Sequence, residues 1–276
     1  MINISVVLYN TPAAEIERLI AVCRQIENLN KLYLIDNSPL PLTEIEQMVQ
    51  SFQKSEYLFS GKNLGYGRAH NIALKKSISD QIEYHLVVNA DVEFTSDTIR
   101  RLCDFMNSDS DIALLSPKIY YPNGDVQYLC KVLPTPADLF GRRFLPARWT
   151  AKRQERYELR QSGYNKIMNL PYLSGCFMFL RVEALLDVGL FDERYFMYPE
   201  DIDLTRRLHR KYKTLFYPEV SVIHHHERAS YKSLRMTLIH IWNMCRYFNK
   251  WGWFFDYERN EVNKKVFQSA VMDSGK

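Results

Sequence analysis

Short β-rich runs alternate with helical patterns through the first 91 residues, and this alternation restricts the chain to an α/β fold. The predicted strands span residues 4–9, 32–35, 56–59 and 84–88. The last of these is apolar on both faces, as a central parallel strand is. Helices are predicted to open at Pro12 and to cover residues 68–77. We therefore expect a mostly parallel central sheet flanked by helices. The apolar face of the first helix would comprise Ile16, Leu19, Ile20, Cys23 and Ile26.

Polar residues follow three of the predicted strands. These clusters occupy residues 36–38, 63–67 and 89–91. Ligands bind beyond the carboxyl ends of strands in open α/β sheets, so we expect the clusters to line one crevice. The glycines of the second cluster permit close approach of the backbone to an anion, but the spacing of a dinucleotide fingerprint and the Gly-Lys-Ser/Thr of a P-loop are both missing. Each cluster alone is also compatible with an ordinary turn.

Closely spaced carboxylates lead into a predicted helix after residue 191. Pro199 suits the first position of a helix, where no backbone N–H is needed. The positive first turn would then contain Glu200, Asp201 and Asp203. Helix capping alone would account for these acids, so a catalytic role requires additional support.

Asp201 and Asp203 are expected to face different sides of this helix. Leu204 and Leu208 follow Asp201 at spacings of three and seven, which places Asp201 at the start of the apolar stripe. Burial would raise its pKa, and a carboxylate tuned in this way can take a proton from a hydroxyl. Asp203 lies away from the stripe and can pair with Arg207 in solvent, so replacing Asp203 by Asn is expected to have a mild effect.

Asp91 and His224 are candidate metal ligands. Asp91 follows the predicted central strand, where a divalent cation could bridge two phosphates, and Mg²⁺ often takes only one or two protein carboxylates. His224 ends a later predicted strand, with His226 on the same face and His225 on the other. Imidazole is acceptable to Mn²⁺ and less so to Mg²⁺. A turn aspartate and a structural histidine are the alternative interpretations.

The composition excludes several classes of protein. With 276 residues, 46% hydrophobic and 25% charged, the chain has an ordinary globular composition. Its five cysteines are scattered and never form CxxC, which indicates a reducing compartment and no zinc module. We find no export signal before the first predicted strand, and no apolar run reaches the roughly 20 residues of a membrane span. We expect a cytoplasmic protein whose contact with the inner face of the membrane is peripheral.

The middle and the end of the chain differ from the first half. Residues 120–169 are rich in proline and charge, and we interpret them as an elaborated or mobile insert. A pair of strands is predicted at residues 215–218 and 221–224. Residues 232–255 show helical spacing with basic and indole side chains, which suits an anionic bilayer interface. Packing of this segment against the core, or against a second subunit in a homodimer, is the alternative.

The order of the motifs along the chain resembles that of one family. The motifs are Ile-Asp-Asn-Ser, Asn-Leu-Gly-Tyr-Gly-Arg-Ala-His-Asn, Val-Asn-Ala-Asp, Ser-Gly-Cys-Phe-Met-Phe-Leu-Arg, Phe-Asp-Glu-Arg-Tyr-Phe-Met-Tyr-Pro-Glu-Asp-Ile-Asp-Leu and a closing His. From about Ile4 to Ser230 the chain resembles the family 2 inverting glycosyltransferases. It is most similar to the bacterial rhamnosyltransferase-like branch, which builds O-antigen, capsule and other cell-wall polysaccharides. The Glu-Asp-x-Asp-Leu segment is the most specific part of this resemblance.

The resemblance implies the GT-A fold, in which a Rossmann-like nucleotide-binding half and an acceptor-binding half share one sheet. By this likeness, residues 1–117 form the nucleotide-sugar-binding half. Residues 118–230 form the acceptor-binding and catalytic half, which contains the insert. Residues 231–276 would be a C-terminal amphipathic helical extension.

The resemblance also implies roles for particular residues. Asp201 matches the catalytic base, while Asp91 and His224 match the metal site. Glu200 and Gly175 fall on the acceptor side. The positions assigned to the nucleotide sugar are Tyr9, Asn10, Asp36, Asn63, Gly65, Tyr66, Gly67, Asn71, Asn89 and Asp91.

The implied reaction is a single displacement that inverts the anomeric carbon of a sugar. A nucleotide diphosphate sugar, first of all dTDP-L-rhamnose and then a UDP-sugar, would donate its sugar to a glycan on a polyprenyl diphosphate lipid. Mg²⁺ or Mn²⁺ is expected on the diphosphate of the donor. Asn89 replaces the first Asp of the family's Asp-x-Asp motif, however, and the loss of this charge should weaken metal binding.

Three other functions differ in the sequence features that they require. A sugar-1-phosphate nucleotidyltransferase should carry a Gly-rich, basic phosphate loop after its first strand, where this chain has Tyr-Asn-Thr-Pro at residues 9–12. A non-catalytic glycan-binding or scaffold protein of the same fold stays open because of Asn89. A nucleic-acid binder is favoured only by the basic residues between Arg206 and Lys250, with no recognised module, so we expect no nucleic-acid partner.

Overall fold

The computed structural model describes residues 1–144, 146–225 and 234–271. The strands are β1 (Ile2–Leu8), β2 (Leu29–Asp36), β3 (Ser55–Phe59), β4 (Tyr84–Val88), β5 (Val92–Glu93), β6 (Ile112–Tyr120), β7 (Cys130–Lys131), β8 (Met168–Asn169), β9 (Tyr172–Leu173), β10 (Phe177–Arg181) and β11 (Lys213–His224). The helices are α1 (Ala13–Cys23), α2 (Thr43–Gln50), α3 (Tyr66–Ser79), α4 (Ser96–Asn107), α5 (Pro136–Phe144), α6 (Ala147–Tyr157), α7 (Val182–Val188), α8 (Glu200–His209), α9 (Leu234–Trp251) and α10 (Tyr257–Val271).

Nine of the described strands form one sheet. Its order is β3-β2-β1-β4-β10-β6-β11-β5, with β8 paired to β11. Strands β1 to β4 are mutually parallel where they pair, and β6 is parallel to β11. Strand β10 runs antiparallel to both of its neighbours, β4 and β6. Strands β5 and β8 also pair antiparallel with β11. The predicted α/β fold with a central sheet is confirmed, and the sheet is mixed, with its first four strands parallel.

The hydrophobic pattern of the sequence explains how the two faces of the sheet are covered. The predicted apolar face of α1 is buried in one hydrophobic cluster. Alternate residues of β4 enter different clusters, because Leu86 and Val88 point to one face of the sheet and Val87 to the other. Strand β4 lies between β1 and β10, as its two apolar faces predicted.

Strand β11 corrects one prediction. Two separate strands were expected, at residues 215–218 and 221–224, but β11 is continuous from Lys213 to His224. Its register with β6 shifts between Tyr217 and Ser221, so the proline falls within an irregularity. A proline is tolerated at such a position because the ladder needs no N–H there.

The insert and the C-terminal extension both contain regular structure that packs on the core. Strand β7 of the insert pairs with β9. Tyr247 and Phe248 of α9 are buried in the same cluster as Leu204 and Leu208 of α8. Within the described part of the chain, we find no helix that is both long and apolar enough to cross a membrane.

Candidate active site

The carboxyl ends of β1, β2 and β4 open onto a cleft with a volume of ≈ 2150 Å³. Ligand pockets usually measure about 300–1,000 Å³, so this cleft has room for two substrates. Each of the three polar clusters contributes to its wall. Their lining residues are Asn37, Asn63, Gly65, Tyr66, Asn89, Ala90 and Asp91.

Most of the predicted site residues lie on the wall of this cleft. Those that line it are Tyr9, Asn10, Asn63, Gly65, Tyr66, Asn89, Asp91, Gly175, Glu200, Asp201 and His224. Asp36, Gly67 and Asn71 do not line the cleft. These three residues were predicted to contact the nucleotide sugar, but each of them contacts other parts of the protein instead.

Asp36 is fully buried, and protein groups occupy both of its carboxylate oxygens. Oδ1 accepts the backbone N–H of Ser38 at 2.8 Å. Oδ2 accepts the backbone N–H of Leu42 at 3.1 Å and the hydroxyl of Tyr57. The carboxylate therefore stabilises the turn after β2, and its neighbour Asn37 faces the cleft instead.

Gly67 and Asn71 of α3 support the segment that precedes α8. A Cβ on Gly67 would lie 2.9 Å from Cβ of Phe191, so only glycine permits this approach without a shift. The amide of Asn71 donates to the carbonyl oxygen of Phe191 at 2.9 Å and accepts its N–H at 3.1 Å. These residues hold Phe191 in place and lie beneath the cleft wall.

Asp201 projects from the first turn of α8 into the cleft. Its Oδ2 accepts the N–H of Gly175 at 3.0 Å, and its Oδ1 accepts the N–H of Ile202 at 2.8 Å. Burial raises the pKa of Asp201 to about 6, against the opposing effects of the Gly175 N–H and the charge of Lys131. The carboxylate is thus ionised at neutral pH and remains basic enough to accept a proton.

Glu200 lies beside Asp201 and is 4% exposed. Burial and then the charge of Asp201 raise the pKa of Glu200 well above its usual value, so of the two acids Glu200 retains its proton. Its Oε2 has no hydrogen-bond partner within the described residues. The two acids therefore form an unequal pair, one ionised and one neutral, on the wall of one cleft.

Asp91 follows β4, His224 ends β11, and the two side chains meet on the wall of the same cleft. Asp91 Oδ1 lies 3.3 Å from His224 Nε2. Two cis ligands of an octahedral ion with bonds of about 2.1 Å would lie about 3 Å apart, so the pair fits a divalent cation. Burial lowers the pKa of His224, but its hydrogen bonds with Asp91 and Cys176 and the charge of Asp91 together outweigh burial and raise the pKa to about 10. A bound cation would displace that proton.

Gln127 fixes the orientation of His224, a role that the sequence did not predict. Its Oε1 lies 2.9 Å from His224 Nδ1, and its Nε2 donates to the backbone oxygen of His224 at 2.7 Å. Because Gln127 can only accept at Oε1, Nδ1 carries a proton and Nε2 points towards Asp91. In the described residues, no three His, Cys, Asp or Glu side chains form a metal cluster, so phosphate and water would complete the coordination.

The neighbours of His224 have other surroundings. His225 Nε2 lies 2.9 Å from Glu93 Oε1, in a surface pair with the adjacent strand β5. The predicted position of His226 lies outside the described residues.

Tyr66 links Gly175 to Asn89. Its hydroxyl lies 2.7 Å from the carbonyl oxygen of Gly175 and 3.0 Å from Asn89 Oδ1. Gly175 in turn holds Asp201, and a Cβ on Gly175 would approach Cβ of Asp201 to 3.3 Å. Asn89 is therefore linked through Tyr66 to Gly175, the residue whose N–H orients Asp201.

Asp203 corrects the prediction of a solvated ion pair. The predicted pair is present, with Arg207 Nε 2.9 Å from Asp203 Oδ2, but Asp203 is fully buried. Lys250 Nζ lies 2.6 Å and Trp251 Nε1 lies 2.8 Å from its Oδ1. Both residues belong to α9, which covers the face of α8 that its own periodicity assigned to solvent.

The chain is similar to known glycosyltransferases. The family model described as Glycosyl transferase family 2 matches residues 4–189, which is more than half of the chain. An N-acetylglucosaminyl-diphospho-decaprenol L-rhamnosyltransferase from Mycobacterium tuberculosis is 31% identical over 231 residues, covering 78% of this chain and 73% of that protein. Rhamnosyltransferase WbbL from Escherichia coli is 28% identical over 225 residues, covering 75% of this chain and 80% of its own.

A solved structure supports the same fold. The mannosyltransferase PcManGT from Pyrobaculum calidifontis, in complex with GDP-Man and Mn²⁺, superposes with a TM-score of 0.56 at 13% sequence identity, covering 100% of this chain and 76% of that one. The fold is GT-A. The predicted resemblance is confirmed: the chain belongs to glycosyl transferase family 2 and is a glycosyltransferase.

Proposed function

We propose that the protein is an inverting glycosyltransferase that uses Asp201 as the general base. The observation that carries the proposal is the presence, in one cleft, of the ionised Asp201 and of the Asp91–His224 pair. These groups suit the two ends of a displacement at an anomeric carbon. A carboxylate is needed beside the incoming hydroxyl, and cation ligands are needed beside the departing diphosphate.

The residues around the cleft divide between the two substrates. The donor would lie against Tyr9, Asn10, Asn63, Gly65, Tyr66, Asn89 and Asp91. Asp91 and His224 would hold a divalent cation, which when bound offsets negative charge on the diphosphate. Asp201 takes the proton of the acceptor hydroxyl as its oxygen bonds to the anomeric carbon, while the bond from that carbon to the nucleotide diphosphate breaks.

Glu200 and Gly175 are proposed for the acceptor side. A neutral Glu200 can donate a hydrogen bond to a sugar oxygen, and Glu200 lines the cleft beside Asp201. Gly175 holds Asp201 through its N–H at 3.0 Å. The neutral acid would therefore help to orient the hydroxyl that the ionised acid deprotonates.

We propose L-rhamnose from dTDP-L-rhamnose as the transferred sugar. The names of the mycobacterial and E. coli relatives support this choice. A thermal-shift panel should contain dTDP-L-rhamnose, UDP- and GDP-sugars, each with and without Mg²⁺ or Mn²⁺. The true donor at about 100 times its Kd should add roughly 2.7 kcal/mol to the free energy of unfolding, and more with the cation than without it.

Two results of this panel would count against the proposal. Stabilisation by a UDP-sugar alone would contradict rhamnose as the transferred sugar. The absence of a shift with every nucleotide sugar would favour a non-catalytic scaffold of the same fold.

We propose that the acceptor is a glycan on a polyprenyl diphosphate lipid, reached from the inner face of the cytoplasmic membrane. The name of the mycobacterial relative includes a diphospho-decaprenol. Helix α9 lies between the cleft and solvent, since Met236 and Ile239 line the cleft while Leu238 and Trp242 are 67% and 62% exposed. The guanidinium of Arg246 lies 5.4 Å from the ring centroid of Trp242, so the outer face combines apolar and basic groups, as a membrane interface requires.

A Leu238→Ser variant is expected to bind vesicles containing anionic lipid about tenfold more weakly than the wild type, because one buried leucine contributes about 1.5–3 kcal/mol. Leu186 of α7 is the matched control, since it is 66% exposed against 67% for Leu238. Co-sedimentation with vesicles at low and high salt measures both effects, and salt should weaken binding through screening of the basic groups. If Leu186→Ser and Leu238→Ser lose vesicle affinity equally, or if binding does not depend on anionic lipid, the outer face of α9 is not the membrane-binding surface.

A further inference from the structure

The loop of residues 192–199 carries the chain from the core to the two acids of α8, and its backbone is strained at one residue. Tyr198 has φ +88°, a conformation that a bulky residue rarely adopts. Such a backbone persists only where its surroundings hold it. The N–H of Tyr198 hydrogen-bonds the carboxyl group of Glu200, so this conformation helps to place the first acid.

The nucleotide-binding half holds one side of the loop. The backbone N–H of Tyr66 donates to the carbonyl oxygen of Phe196 at 3.0 Å. Gly65 permits this approach, because a Cβ there would lie 2.2 Å from the same oxygen. The loop is therefore fixed against the start of α3 at the residue two before Tyr198.

Helix α9 holds the other side. Asn243, which is 1% exposed, donates from Nδ2 to the carbonyl oxygen of Met197 at 3.0 Å. The ring of His240, one turn earlier, lies 4.2 Å from the ring of Tyr198 between centroids. These two contacts fall on the strained residue and on the residue immediately before it.

Further along α9, the start of the same loop is also held. Lys250 Nζ lies 3.0 Å from Asp192 Oδ2. The guanidinium of Arg246 donates to the carbonyl oxygen of Arg194. Contacts from three turns of one helix thus span the loop from its first residue to Tyr198.

We propose that Asn243 and His240 are positioning residues that keep Tyr198 in its strained conformation and so keep Glu200 and Asp201 directed into the cleft. This inference rests on the proposed roles of the two acids. It makes the C-terminal extension part of the catalytic machinery, although the matched family region ends at residue 189. Asn243 acts through the backbone of Met197, and it reaches the reaction only through α8.

Asn243→Ala is expected to lower kcat by about 10- to 100-fold, because small displacements of catalytic groups have effects of this size. The assay uses an N-acetylglucosaminyl diphospho-polyprenol and the nucleotide sugar that stabilises the protein most in the thermal-shift panel. Calorimetry should give a donor Kd within about twofold of the wild type, since Asn243 does not line the cleft. Asn249→Ala on the same helix is the matched control, because Asn249 is exposed and its side chain accepts the indole N–H of Trp253 at 2.8 Å, away from the loop.

A second substitution separates positioning from a general loss of stability. Glycine adopts a positive φ without strain, so Tyr198→Gly should make the loop less dependent on Asn243. The double variant Asn243→Ala/Tyr198→Gly is then expected to lose less kcat than the product of the two single losses. If the loss of kcat in the double variant equals the product of the two single losses, the inference is wrong.

The remaining outcomes distinguish this inference from the proposed function. Wild-type kcat in Asn243→Ala overturns the positioning role, whatever Asp201→Asn does. A loss of kcat that follows only the folded fraction, measured by circular dichroism, overturns it as well. Near-normal turnover in Asp201→Asn removes the assignment of the base, while a reduced kcat in Asn243→Ala with unchanged donor binding would still support positioning by α9.

Discussion

Asp201→Asn is expected to lower kcat by about 10²- to 10⁴-fold, which is the usual contribution of a general base. The variant should remain folded and bind the donor normally, because asparagine has the same shape and its one amide oxygen can still accept one of the two N–H groups, that of Gly175 or that of Ile202. Initial rates with donor and lipid-linked acceptor, together with calorimetric donor binding, measure the two quantities. Asp187→Asn is the control, since Asp187 pairs with Lys211 on the surface and should leave kcat unchanged.

The pH dependence of the wild type provides a second test of the same assignment. The pKa of Asp201 is raised to about 6, so its ionised form, the active one, is lost as the pH falls through that value. We expect the kcat of the wild type to decline as the pH falls below about 6. The residual kcat of Asp201→Asn should not show this decline. Near-normal turnover of Asp201→Asn would disprove the role of Asp201. The same decline of kcat at acid pH in the variant and in the wild type would also disprove it.

The sheet could be predicted because its signals are local. Alternation of apolar residues and the polar residues at strand ends depend only on neighbours in the chain. The same reasoning placed the three polar clusters at one edge of the sheet, where the cleft lies. It could not determine the direction of each side chain at that edge. Asp36 turns away from the cleft because its partner, Tyr57, comes from the next strand, 21 residues later.

Partners that approach from distant segments account for the other differences. The proximity of Gln127 to His224 spans 97 residues and leaves no trace in the spacing of either residue. Helix α8 shows the same limit, since its periodicity correctly placed Leu204 and Leu208 in the core. Periodicity could not reveal that α9 buries the face bearing Asp203 as well. Asp203 is consequently a buried carboxylate that pairs with Lys250 of α9, whereas the sequence predicted a carboxylate exposed to solvent.

Asp203→Asn is expected to lower the free energy of unfolding by about 3 kcal/mol, because removal of one partner from a buried ion pair leaves uncompensated charge. Asp203 is fully buried, and its carboxylate faces both Arg207 and Lys250. Asparagine would keep an acceptor for the indole N–H of Trp251 but would remove the negative charge. The melting temperature should fall by roughly 6–12 °C. Urea unfolding followed by circular dichroism measures the change in free energy.

The comparison with Asp201 makes this prediction specific, because the two carboxylates are two residues apart on one helix. Asp201→Asn removes a carboxylate that burial disfavours, as its raised pKa indicates, so no comparable loss of stability is expected. Asp187→Asn again serves as a control, since the exposed pair with Lys211 should contribute at most about 1 kcal/mol. If Asp203→Asn were as stable as the control, the ion pairs of Asp203 with Arg207 and with Lys250 of α9 would not contribute to the fold. The cover of α9 over α8 would then have to depend on its apolar contacts alone.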